Sequence, residues 1–200
     1  MSNLDLAQKQ AQFDEFFSIQ HSISVNLVCL SDAFEFPPVD ELTENMPYAF
    51  RIASEMSEIE SRALRPLRRL GEHAAELVEF LNHQSRKIDL IMSFILQQQD
   101  HEDNRYKTIS FGGGGLTIVS DKPLSIGQKA ELKLFLTDEA SAVFTYAEVI
   151  DCKEADDQYH IALLFTRIRE QDQDLIVRAS LHLQTLQLRA RAKQQKNEAE

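Results

Sequence analysis

The chain has 200 residues, 43% of them hydrophobic, with only six glycines and five prolines. That is enough apolar material for one full domain, or for a small domain carrying an extended element, and too few turn-formers for a fibrous or loop-rich chain. A formal net charge of -11 repels phosphate backbones, which excludes nucleic acid as a partner of the whole protein.

Leu4 to Phe17 places Leu6, Phe13, Phe16 and Phe17 among polar residues and reads as a tail or a short helix. In Ser22–Leu30, the residues Ile23, Val25, Leu27 and Cys29 alternate with polar neighbours, the period of a half-buried strand. Phe36-Pro37-Pro38 ends it. From Pro47 the spacing turns helical, with Met56, Ile59, Ala63 and Leu64 on one side. Pro66 removes a backbone donor, so a kink or a fresh helix start is expected near Arg65.

After Pro66 the pattern is strict. Leu67, Leu70, Ala74, Leu77, Leu81, Gln84, Ile88, Ile91, Ile95 and Gln98 follow one another in alternating steps of three and four residues. This is an a/d heptad register with a at Leu67, Ala74, Leu81, Ile88 and Ile95. Such a repeat stays on one side of a helix only if the helix supercoils around a partner. Val78 and Met92 at e, and Phe80 and Phe94 at g, widen the apolar face, and Ile at both a and d favours more than two strands. A homo-oligomer is expected, with a tetramer favoured. Gln84 at a d position is expected to fix register at a cost in stability.

A polar linker, Gln97–Asn104, leads into strand patterns at Lys107–Phe111, Leu116–Val119, Ala130–Leu136, Ala142–Cys152 and Tyr159–Phe165. With the strand near Val25 these make six short strands, the signature of an antiparallel sheet or barrel. Glu170–Arg191 is helical, with Leu175, Ile176, Ala179, Leu183 and Leu186 on one face. Cys29 and Cys152 fall in apolar strand-like runs and are expected to be reduced core residues.

Little in the chain points to catalysis. The six histidines have no metal-ligand spacing, and there is no Cys-x-x-Cys pair. Gly112–Gly115 lacks the Gly-Lys-Ser/Thr ending of a phosphate loop and lies between strands. It reads as a flexible hairpin connection or bulge, or as a place where a ligand approaches the backbone. No nucleophile, base and charge stabiliser come together, so a non-enzyme without a metal or cofactor is expected. Arg62, Arg65, Arg68 and Arg69 form a basic cluster. Arg65 and Arg69, four apart, suit a phosphate grip, but pairing with Glu58, Glu60, Glu72 and Glu76 is favoured. No basic-then-apolar leader begins the chain, and Ile88–Leu96 is too short to span a bilayer. A cytoplasmic protein without membrane insertion is expected.

Thr108-Ile109-Ser110-Phe111-Gly112-Gly113-Gly114-Gly115 resembles the Asp/Asn-x-Ser-x-x-Gly strand-turn of PilZ domains. The Pro123–Gln128 turn, the Ala130–Leu134 strand and Ile161–Phe165 continue the likeness over about residues 105–190. A strand, a long heptad helix and then the remaining strands resembles the atypical, tetrameric PilZ subgroup. The resemblance implies an α+β fold: a six-stranded antiparallel PilZ-like β barrel with an inserted long heptad (coiled-coil) helix and a C-terminal helix. It implies one domain over 1–200, with the first strand region at 18–36, the helical insertion at 50–99, the main barrel strands at 105–166 and the C-terminal helix at 167–192. It further implies cyclic di-GMP as the ligand, held by Arg105, Ser110 and Gly113 together with Arg65 and Arg69. The sequence departs from the family at two points. No second arginine completes an Arg-x-x-x-Arg clamp at Arg105, and Thr108 stands at the Asp/Asn position. The expected function is therefore a non-enzymatic signalling adaptor that oligomerises through the helix and binds a protein partner. The alternatives are a direct cyclic di-GMP receptor with a non-standard site and a ligand-independent coiled-coil scaffold.

Overall fold

The computed structural model describes residues 5–67 and 75–197. Helix α1 (Leu6–Glu15) precedes strands β1 (Ser18–Gln20) and β2 (Ser24–Cys29). Helices α2 (Leu42–Asn45), α3 (Tyr48–Leu67) and α4 (Ala75–Gln97) follow. Then come β3 (Arg105–Gly112), β4 (Gly115–Ser120), β5 (Lys129–Leu136), β6 (Ser141–Ala155), β7 (Gln158–Arg167) and helix α5 (Glu170–Asn197).

The strands close into a barrel. β2 pairs with β5, β5 with β6, β6 with β7, β7 with β4 and β4 with β3, all antiparallel. β3 returns to the start by pairing with β1 through Gly112–Ser110 and with β2 through Lys107–Arg105. β1 and β2 are thus one barrel strand broken at His21–Ile23, and seven segments make a six-stranded barrel. Thr108 mends the break from β3. Its Oγ1 accepts the Ile23 amide at 2.9 Å and donates to the His21 carbonyl at 2.8 Å, beside a register shift between Thr108 and Ser110.

Alternation along the strands splits the apolar residues between two cores. Inward go Val25, Leu27, Phe111, Leu132, Leu134 and Leu163, and Ile176, Ala179 and Leu183 of α5 join them. Outward from β5 and β6 go Phe135, Ala142, Phe144 and Tyr146, which pack under Leu42, Phe50, Ala53, Met92 and Leu96. The start of α3 and the end of α4 therefore share one cluster, and the two helices run antiparallel along each other.

Four expectations need correction or limits. α3 runs through Arg65 and Pro66 to Leu67, the last described residue before 75, so no fresh helix start falls at Arg65. The helical insertion is a hairpin of two helices. Of the heptad register, Leu70 and Ala74, like Arg69, lie outside the described residues, as do the side chains of Leu67 and Arg65. The alternation of the first strand holds to Leu27, but Cys29 is exposed and Cys152 half-buried, so neither cysteine is a core residue.

Candidate functional site

Two faces of α4 do different things. Met92 and Leu96 are buried against the barrel, and Val78, Ser85, Asp89 and Ser93 are half-buried on the same side. Most of the described a, d and g positions are open to solvent, while Gln84 at d is half-buried. Leu77, Phe80, Leu81, Ile88, Ile91, Phe94 and Ile95 are between 36% and 64% exposed, an apolar stripe five turns long. Intramolecular packing uses the side of α4 that carries Met92 at e and Leu96 at b, and leaves most of the heptad seam open.

Beside this stripe runs a cleft of about 460 Å³ between α3, α4 and the start of β6. Ala53, Met56, Ile59, Leu81, Ile88 and Met92 line it, with Gln84 and Ser141 at its edges. Ser141 is buried, and its Oγ has no hydrogen-bond partner among the described residues. Leu81 and Ile88 belong to both the cleft and the seam.

The joint between helix and barrel is held by polar contacts. Asn26, buried on β2, donates through Nδ2 to Asp100 Oδ1 at 2.7 Å, and its Oδ1 accepts the His101 amide at 2.8 Å. The other oxygen of Asp100 accepts Arg105 Nε at 2.8 Å, and Glu102 lies 3.6 Å from Arg105 Nη1. These carboxylates, Asp100 first, hold the guanidinium above its ordinary pKa. Arg105 is a clamp on the α4 exit.

Of the ligand set expected from the sequence, Arg69 and the side chain of Arg65 lie outside the described residues, and Arg105 and Gly113 stand at opposite ends of β3. Arg105 opens β3 and Gly113 follows its far end, so eight residues of strand separate them by about 25 Å. Ser110 lies between, paired with Gln20 and Thr117. Gly113 is covered: Gln173 Nε2 donates to its carbonyl at 2.8 Å. A Cβ there would lie 2.8 Å from Phe16 Cδ1 and 2.9 Å from Val177 Cγ2. At Gly112 and Gly115 a Cβ would meet the Phe17 and Leu163 carbonyl oxygens at 2.1 and 2.2 Å. None of these four glycines has a positive φ. The run serves close approach by the chain's own N-terminal segment, not backbone flexibility.

A second anchor fixes α5 to the insertion. Arg169 grips Asp172 in a fork, Nε to Oδ2 at 2.7 Å and Nη2 to Oδ1 at 2.9 Å, and donates through Nη2 to Ser54 Oγ of α3 at 3.0 Å. Burial pushes the Asp172 carboxyl above its ordinary value, against the pull of the guanidinium. Sequence reasoning missed Asn26, Asp100 and this pair. Nothing in their local pattern marks them, since Asn26 and Asp100 are 74 residues apart. Among the described residues no cluster of His, Cys, Asp or Glu is placed to hold a metal ion, and no helix is long and apolar enough to cross a membrane.

A closed six-stranded barrel, sealed by a C-terminal helix and carrying a helical hairpin with an open apolar seam, defines a small β-barrel domain with a helical insertion. The sequence model of the PilZ domain matches residues 83–182, half of the chain, and the protein belongs to the PilZ family, whose domains serve cyclic di-GMP signalling. Among solved structures, a tetrameric PilZ domain protein from Xanthomonas campestris, self-assembled via a helical bundle, is similar at a TM-score of 0.53 and 16% identity. The match covers 90% of this chain and 96% of that one. The Bacillus subtilis inhibitor of motility MotI/DgrA matches at 0.38 and 20%, over 40% of this chain and 42% of its own. MrkH of K. pneumonia matches at 0.38 and 19%, over 45% of this chain and 44% of its own. No curated protein matches the chain.

Proposed function

We infer that the protein is a non-enzymatic PilZ-type adaptor in cyclic di-GMP signalling, assembled into a homotetramer through α4 and presenting its barrels to a protein partner. One observation carries this reading: the seam from Leu77 to Ile95 leaves seven large apolar side chains in solvent on a single helix face. A contiguous apolar patch of that length is characteristic of an interface, and its heptad register specifies a helical bundle. The Xanthomonas campestris protein is self-assembled via a helical bundle, and α4 offers this chain a helix suited to one. The Asn26–Asp100–Arg105 joint ties the end of α4 to β2 and β3, so assembly and barrel are mechanically coupled. With Arg105 committed to Asp100 and Gly113 covered, direct cyclic di-GMP binding through Arg105, Ser110 and Gly113 is not part of this reading.

Size exclusion with light scattering tests assembly; the expected mass is four times the 22.9 kDa of the chain. Calorimetry with cyclic di-GMP tests the ligand. The expected result is no binding in the micromolar range; such binding, lost in Ser110→Ala, would establish a receptor with a non-standard site.

A further inference from the structure

α1 is a self-contained helix. Asp5 accepts the Ala7 and Gln8 amides, and the Gln8 side chain returns a bond to the Asp5 amide, a complete capping box. Yet none of its residues is fully buried, and ten residues are too few for a helix to be stable by itself in water. It is held on the outside of the barrel by three side chains. Lys9 pairs with Glu148 of β6. Phe13 packs on an outward patch of Ile150, Ala162 and Leu164 from β6 and β7. Phe16 lies over Gly113 and Gly114.

Lys9 and Phe13 are spaced i and i+4 on one face of α1, and Phe16, the extended residue that caps it, adds a third anchor at i+7, the spacing of helix-in-groove recognition. The barrel side is shaped for that face. Its floor is apolar, its glycines leave room for the phenyl rings, and its one charged contact is Glu148, half-buried at the rim. An outer barrel surface built this closely around so lightly held an element is a receptor site with a ligand already in it.

We propose that this groove is the adaptor's partner-binding site, occupied in cis by α1, and that it takes an amphipathic helix of a partner protein bearing Lys or Arg followed by aromatic residues four and seven positions later. This rests on the adaptor reading and supplies the chemistry of its partner. Binding requires α1 to leave, which the two-residue connection Phe16-Phe17 to β1 permits without unzipping the barrel.

The probe is a fluorescein-labelled peptide of residues 5–17, read by anisotropy against the full chain. The Phe13→Ala/Phe16→Ala variant removes the resident anchors and is expected to bind the peptide at least tenfold tighter than the unaltered protein. Adding Glu148→Lys is expected to reverse that gain, and a peptide carrying Lys9→Glu to recover it. Equal affinity for both proteins, or binding indifferent to Glu148→Lys, overturns the proposal. Hydrogen exchange on the unaltered protein gives a readout that needs no variant. α1 amides are expected to exchange at least a hundredfold faster than those of β6 and β7, and equal protection overturns the proposal. Carbodiimide coupling of Lys9 to Glu148 is expected within one chain. Coupling only between chains would make the occupant a second copy and overturn the assignment. Scattering mass, recorded in parallel, reports assembly separately, so loss of peptide binding with a tetramer intact is a failure of this inference alone.

Discussion

The Thr108 hydroxyl lies 2.9 Å from the Ile23 amide and spans the one gap in the barrel wall. By also donating to the His21 carbonyl, it stands in for the ladder bonds that the β1–β2 break forfeits. Both partners are backbone groups that would otherwise be left without a bond in the wall. Thr108→Val keeps the shape and removes the bonds, so a stability loss of about 1–3 kcal/mol is expected from the orphaned groups. Urea denaturation checks it: the midpoint falls, and the scattering mass stays unchanged.

Arg169 and Asp172 predict an asymmetry. Arg169→Met leaves a carboxylate buried without its partner and is expected to cost about 3–5 kcal/mol, as for other broken buried pairs. Asp172→Asn removes the more deeply buried charge and leaves the Arg169 guanidinium, 12% exposed, still bonded to Ser54, so it is expected to cost less. Chemical denaturation of the two variants compares them directly.

The same carboxyl sets a pH dependence. Burial raises the Asp172 pKa in the folded protein above its unfolded value. Between those two values the folded state holds more protons than the unfolded state, so stability falls as pH rises through that window. Asp172→Asn abolishes this slope. The melting temperature of the variant minus that of the unaltered protein is therefore expected to become more positive on going from about pH 4 upward, in the carboxylate titration range. A difference independent of pH would show that Asp172 is not protonated more readily in the folded chain.

The seam makes two opposite predictions. Ile88→Glu puts a charge at an a position and is expected to reduce the scattering mass to that of a single chain, because an unpaired buried carboxylate is not tolerated at a bundle core. Gln84→Leu replaces a polar d residue and is expected to raise the melting temperature, with oligomer size less sharply defined. An unchanged melting temperature would place Gln84 in solvent within the assembly.

The α4 exit distinguishes a buried clamp from an exposed one. Asn26→Ala removes the bonds to Asp100 and His101 from a buried position and is expected to lower stability by about 1–3 kcal/mol. Arg105→Ala acts on an exposed side chain, so its expected effect is faster hydrogen exchange over residues 98–104 with assembly intact.

What could be read from the sequence alone was what is periodic. Alternation in Ala130–Leu136 and Tyr159–Phe165 and the heptads from Leu77 to Ile95 follow from backbone geometry, since each side chain's face is set by its neighbours a few residues away. Those patterns carried the strands, the helices and the barrel. The short-helix alternative for Leu4–Phe17 holds over Leu6–Glu15, though its anchoring residues Lys9 and Phe13 were not singled out as a face. Tertiary structure alone decided how the faces are used. Packing against α3 and the barrel takes the side of α4 that carries Met92 and Leu96 and leaves Leu77, Phe80, Ile91 and Phe94 exposed. Asp100 and Glu102 engage the Arg105 guanidinium at the exit of α4. The glycine run is the hairpin connection between β3 and β4, and Phe13, Phe16 and the Leu163 carbonyl also make it a packing surface. Each outcome depends on groups brought together by chain closure from distant parts of the sequence, except Asp100 and Arg105, where the deciding third member is Asn26, 74 residues from Asp100. Local periodicity holds no record of such encounters.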